Sequence, residues 1–100
     1  ISDIPLLIKY FSKKISENYN INELEIDENN NGVIGDGVML YNSKNNIINA
    51  PNGKVVVVEG LEDYIVIDND NTLLICKTEN EQQIKQFVSD VKRNKGEDYV

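Results

Sequence analysis

The sequence predicts an α+β fold. It reads as an N-terminal amphipathic helix, five or six short strands forming a β-helix-like coil or a meander, and a C-terminal helix. Three observations lead there. Apolar runs at 55–58, 64–67 and 73–76 are short, rich in Val and Ile, and separated by turn chemistry at Gly60 to Asp63 and at Asp68 to Asn71. Such runs are buried strands rather than helices. A loose nine-residue rhythm carries the strand pattern further upstream, and an apolar stripe at helical spacing lies at each end of the chain.

Taken in order, Asp3 is a good N-cap and Pro5 suits the first turn of a helix. Ile4, Leu7, Ile8, Phe11 and Ile15 follow as one stripe, with Tyr10 beside it and Lys9, Lys13, Lys14 and Glu17 elsewhere. The spacing predicts a helix over 4–18 that packs on its own domain. Leu24 to Ile26 reads as a short strand. Asn29-Asn30-Asn31-Gly32 is the clearest break, polar and turn-prone, with Asn31-Gly32 suited to a tight hairpin turn.

Val38, Ile47, Val56, Ile65 and Leu74 then fall nine residues apart, each within a short apolar run. Turn residues lie between, at 42–45, 51–53, 60–63 and 68–71. Two architectures satisfy this beat: an antiparallel meander, or a short coil in which every second strand stacks in parallel. Val55 to Val58 is apolar on both pleat faces, which predicts cover on both sides. Thr78-Glu79-Asn80-Glu81 matches a capping box, so the last helix is expected from residue 78. Ile84, Phe87, Val88 and Val91 form its stripe, Lys92, Arg93 and Lys95 its last turn, and Gly96 its end. The tail from Glu97 to Val100 is expected to fray unless Tyr99 packs back.

Composition and chemistry are more restrictive. One hundred residues make one domain, and the net charge of −7 argues against a nucleic-acid partner. No apolar run approaches the roughly 20 residues that span a bilayer, so no membrane partner is expected. No signal peptide is expected before the domain. The chain begins at Ile1 and not at Met, which leaves a removed segment open. With one cysteine and no histidine, neither a Ser-His-Asp or Cys-His arrangement nor a zinc site of the usual ligands can form. Cys76 reads as a small hydrophobe, and a reduced, cytoplasmic setting fits it.

Asp68 and Asp70 resemble the start of a calcium loop. Leu73 stands where that loop needs its glycine, although Glu79 occupies the twelfth position, so a turn is the better reading. Gly32, Gly35 and Gly37 precede a strand-like run and not a helix with Lys and Ser/Thr, so they are expected to serve turns. No catalytic residue, cofactor-binding residue or metal ligand is assigned, and no cofactor is implied.

Residues 35 to 92, and above all GLEDYIVIDNDNTLLICK with the following EQQIKQFVSDVK, resemble the C-terminal end of bacterial mannose-1-phosphate guanylyltransferases. The resemblance runs from about Asp27 to the C-terminus. It implies a short β-helical region that follows the nucleotidyltransferase domain of that family and contributes packing and subunit contacts. The nucleotide-binding and metal-binding segments of the catalytic part are absent, so no active-site residue carries over. Residues 3 to 19, DIPLLIKYFSKKISENY, resemble instead a helix in the AAA+ domain of sigma-54-dependent transcriptional activators. The ATPase and sigma-contacting motifs of that family are also missing. Together the two resemblances imply a fusion of two fragments joined near Ile21 to Asn31.

The organisation expected is a single domain over 1–100: a helix at 1–20, a connecting segment at 21–34, a β region at 35–77 and a helix at 78–96. The function expected is a non-catalytic structural or interaction module resembling the guanylyltransferase C-terminal part. The alternatives are a fragment of a full-length sugar-nucleotide-forming enzyme and a small regulatory binder of a sugar nucleotide. Self-association or a protein partner is left open, and the ligand is unknown.

Overall fold

The structure is a computed structural model and describes residues 24–100. The helix expected over 4–18 lies outside the described residues, as does the resemblance carried by residues 3 to 19. The described chain holds seven strands: β1 (Glu25–Ile26), β2 (Gly32–Ile34), β3 (Val38–Tyr41), β4 (Ile47–Asn49), β5 (Val56–Glu59), β6 (Tyr64–Asp68) and β7 (Leu73–Lys77). A 3₁₀ segment (Thr78–Gln83), helix α1 (Ile84–Lys95) and a last 3₁₀ turn (Glu97–Tyr99) follow. The α+β class holds. The strand beyond the expected six is the short β2, within the segment read as a connection, while β1 falls where Leu24 to Ile26 reads as a strand.

The nine-residue beat is half a coil. Val38 pairs in parallel with Val56, Ile47 with Ile65, and an isolated parallel bridge joins Lys44 to Glu62. Each partner lies 18 residues on, two beats apart, as do the corner hydrogen bonds from Leu61 to Ser43 and from Tyr64 to Asn46. Every second strand therefore stacks in parallel, as one of the two sequence-based architectures requires. The chain winds through one sheet (β2, β4, β6), then a second (β3, β5), then the short side at Lys44 and Glu62.

Leu74 is where the beat changes meaning. It pairs antiparallel with Ile67, because Asp68 to Thr72 closes a hairpin instead of a coil corner. Asp68 Oδ1 accepts from the Asp70 N–H, and Asn69 Oδ1 accepts from the N–H groups of Asn71 and Thr72. These carboxylate and amide oxygens are spent on the turn. At the other end β1 runs antiparallel to β2, giving the sheet order β1-β2-β4-β6-β7 beside the two-stranded β3-β5.

Two apolar layers follow from the alternation of each strand. Inside the coil lie Ile48, Val58 and Val66, packed with Val38, Leu40, Val56 and Leu61. On the outer face of the large sheet lie Ile47, Ile65, Ile67 and Leu74, covered by Ile84 and Val88 of α1 and by Val100. Each fully buried Ile or Val contributes about 1.5–3 kcal/mol.

Several local expectations are corrected. Val55 and Val57 are 70% and 63% exposed, so β5 is covered on one face only. The capping box does not form: no side chain caps the segment at Thr78, and α1 proper begins at Ile84. The reason is that the Thr78 N–H still bonds the Asp63 carbonyl at 2.8 Å, extending the β6–β7 ladder. A backbone donor already paired needs no cap.

Phe87 is only half-buried at the margin of the outer layer, while Ile84 is fully enclosed. The tail does not fray. Val100 is buried, and the Tyr99 carbonyl accepts from Asn69 Nδ2 and Thr72 Oγ1. Gly96 ends α1 as expected, at φ 110° with its N–H on the Val91 and Lys92 carbonyls.

The glycines serve close stacking as well as turns. Gly32 lies within β2, and a Cβ on Gly37 would collide with the Lys54 carbonyl oxygen of the next coil.

Candidate functional site

Asparagines build the corner that leads into the large sheet. Asn30, Asn45 and Asp63 stack there at successive levels, all with φ near +60° (61°, 59° and 63°). Asn and Asp tolerate this left-handed conformation better than other residues with a Cβ. One residue on, Asn31 and Asn46 turn inward and are fully buried. Asn31 takes the Asp27 carboxylate on its backbone N–H (2.8 Å) and on Nδ2 (3.0 Å), and Nδ2 also reaches the Ser43 carbonyl at 2.9 Å. Asn31 Oδ1 accepts from the Asn46 N–H (3.1 Å) and Asn46 Nδ2 (3.0 Å). Asn46 Nδ2 donates onward to the Leu61 carbonyl, and its Oδ1 accepts the Tyr64 N–H, both at 2.8 Å.

The result is a ladder from Asp27 to β6. It corrects the reading of 29–32 as a loose break or an Asn-Gly hairpin turn: the turn lies at 27–30, and Asn31 belongs to the core. The backbone N–H of Asn31, with its side chain and Asn29, holds the Asp27 carboxyl below its ordinary value, against a smaller opposing effect of burial.

A second feature is an open slot. The large sheet extends two strands, β6 and β7, beyond the last strand of the small sheet, β5. The missing strand positions leave a groove of about 480 Å³ beside β5, with Val66, Leu73 and Ile75 on its far wall. Leu73 and Ile75 are 59% and 56% exposed. Lys54 stands at the mouth of the groove, 3.1 Å from Asp68 and 3.8 Å from Asp70, and the hydrogen bond and charge of Asp68 raise its pKa.

A third feature, a cleft of about 680 Å³ at the β1 end, is edged by Glu25, Asp27 and Asp36. Cys76 packs at the margin of the outer layer, and burial, with Glu81 nearby, pushes its thiol up.

The sequence assigned no site residue, and the described residues bring together no group of three or more carboxylates or thiols able to hold a metal ion. Every buried side-chain nitrogen or oxygen among them has a hydrogen-bond partner. The residues that sequence reasoning missed are Asn31 and Asn46. Their signal was present: Asn30-Asn31 and Asn45-Asn46 each stand directly before a strand of the same sheet, β2 and β4.

The model of the MannoseP isomerase/GMP-like beta-helix domain matches residues 35–91. The chain belongs to this family. The match covers β3 to α1, so the resemblance drawn from residues 35 to 92 holds for the β-helical part. The alginate biosynthesis protein AlgA of Pseudomonas aeruginosa is 35% identical over 65 residues, which are 65% of this chain and 13% of that protein. A crystal structure described as mannose-1-phosphate geranyltransferase from Thermus thermophilus aligns over 66% of this chain and 20% of its own, with a TM-score of 0.58 and 19% identity. That likeness concerns the fold. The chain thus spans about an eighth of the curated relative and a fifth of the solved one. Among the described residues no helix is long and apolar enough to cross a membrane.

Proposed function

We propose that this chain is a non-catalytic structural and interaction module, the β-helical portion of a mannose-1-phosphate guanylyltransferase-like protein working through packing and contact. One observation carries the reading. The buried polar side chains of the described fold are consumed by its own corners and turns, and what stays open is an apolar strand edge. Groups held this way are not free to move protons or bind a metal. The reading includes a fusion, in which the family portion matched at residues 35–91 follows a segment of separate origin. A bacterial, cytoplasmic setting belongs to it, and the net charge of −7 makes nucleic acid an unsuitable partner. The test is formation of GDP-mannose from mannose 1-phosphate and GTP by the purified chain. No product above the buffer control is expected, and turnover would overturn the proposal.

A further inference from the structure

We propose that Asn52 is a site of spontaneous deamidation, which converts the turn between β4 and β5 to an aspartyl or isoaspartyl form, and that Asp36 restrains the reaction. The sequence holds Asn-Gly twice, at 31–32 and at 52–53. In this pair a side-chain amide meets the next backbone nitrogen with least hindrance, because glycine has no Cβ. The fold treats the two pairs oppositely.

Asn31-Gly32 is locked. Asn31 is fully buried, and its Nδ2 and Oδ1 each hold two hydrogen bonds. The Gly32 N–H donates to the Asn46 carbonyl at 2.8 Å, within β2. This pair reacts only from an opened state, which the folding equilibrium of an ordinary domain makes rarer by about 10³-fold or more.

Asn52-Gly53 lies in an exposed turn, closed by the Lys54 N–H on the Pro51 carbonyl at 3.2 Å, with Gly53 at φ 85°. Among the described residues the Asn52 side chain has no hydrogen-bond partner. The space around Gly53 is open: no atom lies within 4 Å of the point where a Cβ would stand. Water and hydroxide reach the pair, and attack within one chain gains from proximity.

The Gly53 nitrogen gives its proton to hydroxide and bonds to the side-chain carbonyl carbon of Asn52. The bond from that carbon to Nδ2 breaks, and Nδ2 takes a proton from water and leaves as ammonia. Water then opens the succinimide ring at either carbonyl, with no change of oxidation state. One opening gives aspartate. The other gives isoaspartate, whose backbone runs through the former side chain and is a methylene longer.

One bond holds the reaction back. The Gly53 N–H donates to Asp36 Oδ1 at 2.7 Å. That proton must leave before the nitrogen attacks, and a carboxylate beside it opposes the negative charge that its loss creates.

The coil leaves no slack for a longer turn. Gly37 admits no Cβ against the Lys54 carbonyl, and the Val56 N–H bonds the Gly37 carbonyl at 3.0 Å. An added methylene at 52–53 shifts β5 against β3 there. The new carboxylate also joins Glu25, Asp27 and Asp36 around the cleft at the β1 end, which Asn52 lines. Like charges repel across it, so the converted chain is the weaker one.

Incubation of the full chain in mildly alkaline buffer, followed by peptide mapping with mass spectrometry, tests the proposal. In the folded chain Asn52 is expected to convert to both aspartate and isoaspartate while Asn31 stays an amide. In concentrated urea both should convert at similar rates. Asp36→Ala should raise the Asn52 rate several-fold and leave Asn31 untouched, a selectivity that general loosening of the fold would not produce. The urea midpoint of the unaltered chain should fall with incubation. That of Asn52→Gln, whose longer side chain must close a larger ring, should hold steady. Equal conversion of both pairs in the folded chain, an Asn52 amide retained there but lost in urea, an Asn52 rate not raised by Asp36→Ala, or a midpoint that stays constant as Asn52 converts overturns it. The non-catalytic reading stands or falls separately, by GDP-mannose formation.

Discussion

Replacing Asn46 with alanine should destabilise the fold by about 2–4 kcal/mol. Asn46 is fully buried, and its side chain bonds Asn31, Leu61 and Tyr64 on the neighbouring coils. Alanine removes the donor to Asn31 Oδ1, but that oxygen keeps the Asn46 backbone N–H and is not orphaned. The Tyr64 N–H loses its partner, and a bond is lost at the Leu61 carbonyl, which keeps the Lys44 N–H. A buried group left unsatisfied costs about 1–3 kcal/mol, and each of the two bonds lost at acceptors that keep another donor about 0.5–1.5 kcal/mol. The sum falls toward the lower half of the range because the corner borders an open hollow lined by Asn45 and Asp63, where water can replace part of the loss.

Against a domain stability of about 5–15 kcal/mol this is a large fraction. Urea denaturation measures it, with a lowered midpoint at an unchanged slope. Asn46→Asp separates donor from acceptor. It keeps an oxygen for the Tyr64 N–H but sets a carboxylate against Asn31 Oδ1 and the Leu61 carbonyl. It should cost at least as much as alanine at neutral pH and recover in acid, where the protonated carboxyl can donate. Asn45→Gly is the control. Glycine accepts the φ of 59°, and only the exposed bond from Asn30 is lost, so the change should stay within about 0.5 kcal/mol. If Asn46→Ala behaves like that control, the ladder does not hold the coil together.

Two further outcomes follow from burial and charge. Ile84→Ala should cost about 2–5 kcal/mol in thermal or urea unfolding, and Phe87→Ala less than Ile84→Ala because Phe87 is half-buried; equal or inverted costs would contradict the packing of α1. The Asp27 carboxyl is held below its ordinary 3.8 in the fold, chiefly by the Asn31 N–H, so it stabilises above that value and ceases to as pH falls through the lowered one. Asp27→Asn should therefore lower the urea midpoint at neutral pH and lose its disadvantage below pH 3.8; a difference independent of pH would refute it.

The β region was legible because its period is physical. A strand on a coil must present an inward side chain at the same point of every turn, so Val38 and Val56, or Ile47 and Ile65, recur at a fixed offset. A meander of equal strands leaves the same beat, so the sequence left the pairing open. What decides it sits in the corners and not in the strands: Asn45 and Asp63 at positive φ continue the coil, whereas Asp68 and Asn69 fold their oxygens back on the next N–H groups and reverse the chain. The buried asparagines were misread for a related reason. Asn-Asn before Gly is the composition of an exposed turn, and only the neighbouring coil, 15 residues on, converts Asn31 from a turn residue into a core one. The capping box failed by the same logic, since a sequence motif cannot register that Asp63 already holds the Thr78 N–H.

The reversal at Asp68 also explains why this fold leaves apolar surface open. A coil that continued from β6 would lay its next strand beside β5 and bury the inward faces of Val56, Val58 and Val66 together. The hairpin sends that strand to the edge of the large sheet instead, where Leu74 gains the outer layer and Leu73 and Ile75 lose any partner within the described chain. Strand alternation forbids satisfying both sets at once, because consecutive side chains point to opposite faces. Packing α1 on the outer face, through Ile67, Leu74, Ile84 and Val88, therefore has a necessary consequence on the inner face. Two apolar residues and a strand edge that the described residues leave uncovered are what an edge normally blunts with charge or proline. Leu73 and Ile75 are neither, and the groove they wall is the place where this module can add a strand.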